Sequence, residues 1–166
     1  MPEQIVTSLP YRHTQTGYPM LVGLSFGTFA QLKAFARDAR AGKPRIWLYL
    51  PGILAFVALM LAFSRLTVAV DDGRVTVGFA GGLARRRIDV RQIEKAEVTK
   101  TSWLAGWGIR LTPSGWLYNA WGRGAVRLRF AGGRRLTIGT DEPQELLAAI
   151  EHARELAAAR AGGVAG

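Results

Sequence analysis

The sequence predicts an α+β membrane protein: an N-terminal transmembrane helical hairpin, a seven-stranded antiparallel β-barrel, and a C-terminal α-helix capping that barrel. Three observations predict it. Ile46 to Ser64 is an uncharged run of nineteen residues. From Leu66 onward apolar residues recur at every second position, and from Asp141 they recur at helical spacing.

Composition narrows the function classes first. The 166 residues amount to about one domain. There is no Cys, which excludes disulfides, thiolate catalysis and Cys-based zinc sites. Only two His are present, so His-based metal or triad chemistry has little raw material. Asp71, Asp72, Asp89, Glu94 and Glu97 lack metal-loop spacing, and there is no phosphate loop, nucleophile elbow or paired catalytic acid motif. The chain is therefore read as non-enzymatic, with no catalytic residue, metal or cofactor. Lys+Arg is 22 against Asp+Glu 12, a net +10. Residues 65–140 hold 14 of those cations and 5 of the acids.

The run IWLYLPGILAFVALMLAFS contains ten Leu, Ile, Val or Phe. At roughly −0.3 to −0.6 kcal/mol each they favour insertion into a bilayer by roughly 3–6 kcal/mol. Nineteen helical residues span roughly 28 Å, near the hydrocarbon thickness. A weaker uncharged segment, Thr14 to Leu32, precedes it and carries Gly23 and Gly27, a G-x-x-x-G spacing that lets a second helix approach closely. Together they predict a membrane hairpin over 1–64, with helices at about 14–36 and 46–64. Neither segment reads as a cleaved signal peptide. The connecting loop, Lys33 to Arg45, has five basic residues and one acid, which mildly favours a cytoplasmic loop. His13, beside the first segment, is expected at the interface.

Beyond the hairpin, Leu66, Val68 and Val70 alternate with polar or small residues, and so do Val75, Val77 and Phe79. Asp71-Asp72-Gly73 joins the two runs as a turn. Gly81-Gly82 turns the chain toward Arg86 to Val90 and Ile93 to Val98. Ile109 and Leu111, Trp116 to Ala120, Val126 to Phe130, and Leu136 with Ile138 complete about seven short strands, the pattern of a small barrel or sandwich. Asp141 then reads as an N-cap with Gln144 at N3. Leu146, Leu147, Ile150, Ala153 and Ala157 form one helical face that can cover an open end of the strands. Residues 65–161 are expected to fold without the anchor, and 162–166 to fray.

Four stretches carry a family resemblance: Tyr11-Arg12-His13-Thr14-Gln15-Thr16-Gly17-Tyr18, Gly106-Trp107-Gly108-Ile109-Arg110, Gly115-Trp116-Leu117-Tyr118-Asn119, and Ile138-Gly139-Thr140-Asp141-Glu142-Pro143. On these the chain resembles the bacterial pleckstrin-homology-like proteins that carry an N-terminal membrane hairpin. The resemblance implies a pleckstrin-homology-like barrel in a multi-pass protein of the bacterial inner membrane, with the barrel in the cytoplasm, against the charge count of the loop. Ala120-Trp121 departs from the small polar pair that similar proteins tend to have there.

Two constellations stand out as candidate binding surfaces. Arg85, Arg86 and Arg87, with Arg110, Arg127 and Arg129, are candidates for anionic lipid head groups or a protein partner, each cation near such a surface contributing about 1 kcal/mol. Trp103, Trp107 and Trp121 are candidates for an aromatic surface, since Trp prefers interfaces. The expected function is a membrane-anchored interaction or scaffolding module, with head-group sensing through the basic strands as the alternative. Its expected partners are membrane lipids and a protein or a second copy. Nucleic acid is set aside despite the charge.

Overall fold

The strands lie in two separate sheets, as described by a computed structural model covering residues 10–42, 46–71, 73–79, 82, 84–102 and 106–162. The first sheet is built from β1 (Tyr11–Thr16), β2 (Arg65–Asp71), β3 (Arg74–Phe79) and β4 (Ala84–Asp89), in that order and antiparallel throughout. The second comprises β5 (Ile93–Lys100), β6 (Gly108–Thr112), β7 (Gly115–Asn119), β8 (Gly124–Phe130) and β9 (Arg135–Gly139), ordered β5-β8-β9-β7-β6. Its β7–β9 pairing is parallel.

The alternation read from the sequence positions the core. Leu66, Val68 and Val70 face Val75, Val77 and Phe79 across the β2–β3 register, and all six are buried. Gly73, at φ +72°, supplies the left-handed turn between them. Val126, Leu128, Leu136 and Ile138 complete the inner layer from the second sheet. Helix α3 (Pro143–Gly162) lays Leu146, Ile150, Ala153 and Ala157 on it, packing against β2, β5 and β8. The helix begins at Pro143, where the fixed φ of proline suits a first helical position. Asp141 does not cap it. Thr140 Oγ1 accepts from the Glu142 N–H at 3.1 Å, and Asp141 is engaged elsewhere.

Several expectations need correction. The sheets do not close into a barrel: β1 and β4 edge the first and β5 and β6 the second, with no ladder joining the two sheets. There are nine strands among the described residues, two more than the alternation predicted. One of the added strands, β1, falls partly within the segment assigned to a helix from about residue 14. The pairing Tyr11↔Val70 through Thr16↔Arg65 claims those residues for the sheet.

Helix α1 (Tyr18–Arg40) starts only at Tyr18-Pro19, and α2 (Tyr49–Phe63) is fifteen residues long. The nineteen-residue run is divided because Pro51 fits a helix only within its first turn. The α-helix thus begins just before it, and Ile46–Leu48 form a 3₁₀ turn. Fifteen residues rise roughly 22 Å, short of the roughly 30 Å of hydrocarbon. Helix α1 is long enough, but Ser25, Thr28, Gln31, Lys33, Arg37, Asp38 and Arg40 make it too polar. Among the described residues no helix is long and apolar enough to cross a membrane. The transmembrane hairpin and the multi-pass inner-membrane placement fall with that finding. Lys43 and Arg45 of the connecting loop and the tail 163–166 lie outside the described residues.

Candidate functional site

The two helices form an antiparallel pair that leaves the first sheet between β1 and β2. The pair is closed at its base by the Gly17 N–H donating to Ser64 O at 2.7 Å. Phe63 of α2 meets Phe79 of β3 with ring centroids 5.6 Å apart. At the far end, Tyr49 Oη donates to Asp38 Oδ2 at 2.6 Å, and this bond raises the phenol's pKa, since it favours the neutral form. Phe35 meets the same tyrosine edge-on at 6.4 Å. Of the two glycines expected to pack helices, Gly27 does so: a Cβ there would lie 2.5 Å from Phe56 Cε1. Gly23 faces open space.

The pair buries only part of its apolar surface. No residue of α2 is buried. Leu54 and Leu61 are each 66% exposed, and Phe26 and Phe29 of α1 are 71% and 60% exposed. Around the base lie Trp107 and Trp121, ring centroids 6.0 Å apart and both partly exposed. The exposed cations Arg65, Lys100 and Arg123 lie at the same end of the sheets. Gln15 and Asn119, buried beneath this end, each keep a side-chain amide oxygen without a hydrogen-bond partner among the described residues. Trp103 lies outside the described residues.

The six candidate arginines do not form one surface. Arg85 and Arg87 point outward from the edge strand β4 and are exposed, whereas Arg86, between them, turns to the opposite face. Arg110 donates from Nε to Trp107 O at 3.3 Å. Arg127 and Arg129 are drawn to Glu97 on the neighbouring strand, at 3.7 and 3.1 Å, with Lys95 Nζ at 3.2 Å. The hydrogen bonds from Lys95 and Arg129 hold the Glu97 carboxyl below its ordinary pKa. Glu97 thus offsets one of these three positive charges and holds both arginines on its own face, and the sequence did not reveal it because the acid lies some thirty positions earlier.

His13 is not an interface residue. Its Nε2 lies 2.6 Å from Asp141 Oδ1 and its Nδ1 3.1 Å from Glu142 Oε2, tying β1 to the start of α3. Beside it, burial and then the Glu142 charge push the Tyr11 hydroxyl up to about 12. Among the described residues no group of His, Asp or Glu side chains is arranged to hold a metal ion.

The chain matches no family model, no curated protein and no solved structure.

Proposed function

We propose that the chain is a non-enzymatic interaction module that attaches to a lipid surface through its helical pair, without crossing it, and offers the two-sheet body to a protein partner or a second copy. The observation that carries this reading is the absence of any buried residue on α2. A helix apolar on every side is stable only against apolar surroundings, and the body of the protein supplies them only at its base, where Phe63 meets Phe79. Each Leu or Phe moved out of water contributes about 1.5–3 kcal/mol, enough for a few side chains to hold the module in the head-group and acyl boundary. Trp107 and Trp121 at the base suit that boundary, and Arg65, Lys100 and Arg123 add attraction to anionic lipid.

A second reading is favoured by Arg85 and Arg87, which are exposed and make no ion pair among the described residues. In it they sense head-group charge once the helices have docked. Sedimentation with vesicles separates the two. The full chain should pellet with phosphatidylcholine vesicles, and more strongly when phosphatidylglycerol is added. A Phe26→Ser/Leu54→Ser variant should remain in the supernatant. Arg85→Gln/Arg87→Gln should lose only the salt-sensitive part. A full chain that stays soluble beside both vesicle types refutes the attachment.

A further inference from the structure

A second feature lies at the opposite end of the sheets from the helical pair. No ladder joins the edge strands β4 and β6, and part of the inner face of the second sheet is left uncovered beside them. Leu111 and Trp116, opposite each other in the β6–β7 register, point the same way as the core residues Ile109 and Tyr118. Yet they are 71% and 42% exposed. With the buried Phe130 they floor an open cleft of about 610 Å³, within the roughly 300–1,000 Å³ of small-molecule sites. Arg86 reaches into it from β4, Arg134 borders it from the β8–β9 turn, and Arg135, which leaves the start of β9 on the opposite face, stands at its rim. No carboxylate lines the cleft, and none of the three arginines makes an ion pair among the described residues.

We infer that this cleft binds an anionic amphiphile, its carboxylate or phosphate head on Arg86 and Arg134 with the charge of Arg135 at the rim, and its apolar body over Leu111, Trp116 and Phe130. Two features of the cleft select this class. Three unopposed guanidiniums are a strong attraction for an anion and suit the bidentate geometry of carboxylate or phosphate. The uncovered inner face needs apolar cover, which a bare anion cannot give. A ligand carrying both groups satisfies both demands at once. The inference does not depend on attachment of the helices to lipid, since the two surfaces share no residue.

Calorimetric titration of the full chain tests it, with dodecanoate, dodecyl phosphate, dodecanol and inorganic phosphate as probes below their aggregation limits. The two amphiphilic anions should bind. Dodecanol and inorganic phosphate should each bind at least about tenfold more weakly, the equivalent of one charge-assisted contact or a few buried methylenes. Arg134→Gln/Arg135→Gln changes only exposed turn and strand-end side chains, so the fold is kept; it should weaken the anions about tenfold. Trp116→Ala should weaken them as well. The ratio between the two anions tells a fatty-acid source from a phosphate-bearing one. Equal affinity of the arginine variant and the wild type overturns the inference. So does dodecanol binding as tightly as dodecanoate, or a Glu-rich peptide displacing dodecanoate at lower concentration than dodecyl phosphate does.

Discussion

Glu97 shows how single side chains divide the basic surface. Its carboxylate faces Lys95, Arg127 and Arg129, and Arg127 and Arg129 each keep a buried Nε without a partner among the described residues. A carboxyl held below its ordinary value, about 4.3, stabilises the fold fully above that value, and the contribution fades as pH falls through the lower folded one. Glu97→Gln should therefore flatten the acid side of the stability profile while leaving three cations to repel one another at neutral pH. Urea midpoints taken from neutral into acid solution check this: the wild type should lose stability more steeply than the variant. Parallel curves would mean that the cluster is fully screened by solvent.

At the scale of elements, legibility followed locality. The β2–β3 hairpin was readable because both its alternation and its Gly73 turn lie within fifteen residues. The buried face of α3 was readable from its own spacing. Strand β1 was not, because its inward positions, opposite Val70, Val68 and Leu66, are Tyr11, His13 and Gln15. None of these is an apolar signal, and their environment is supplied by residues some fifty positions later. His13 is the clearest case: its two carboxylate neighbours, Asp141 and Glu142, immediately precede α3, which makes it a clasp between the first strand and the start of the last helix. His13→Ala should cost about 1 kcal/mol, the net worth of an ordinary hydrogen bond. It should also raise amide exchange at Leu146 and in β1 together, since both ends of the clasp are released. Faster exchange confined to β1 would show that α3 is held by Leu146 and Ile150 alone.

For the whole molecule, what escaped the sequence was how its parts meet. Nineteen uncharged residues looked like one span, and only the placement of Pro51 against a helix start divided them. Seven alternating runs looked like a closed shell, but closure depends on whether the edge strands of the two sheets meet, contacts no local pattern encodes. The aromatic residues near the base of the helices were visible as types, and their gathering was not. The same geometry revises where the chain divides. A fragment beginning at Arg65 omits β1 and leaves β2 as a bare edge, with Leu66, Val68 and Val70 losing their cover from Tyr11, His13 and Gln15. The two ends of the helical pair, by contrast, already touch through the Gly17–Ser64 hydrogen bond. Residues 18–63 can thus be replaced by a two-residue Asn-Gly turn that continues the β1–β2 register. That chain should give a strand-rich circular dichroism spectrum, unfold cooperatively and no longer sediment with vesicles, because the body closes its core without α1 or α2. The fragment starting at Arg65 should unfold at lower urea than the Asn-Gly chain, by the contribution of one lost edge strand. If the Asn-Gly chain is unfolded, the helices belong to the core through Phe63 and Phe79, and attachment and folding cannot be separate tasks of this molecule.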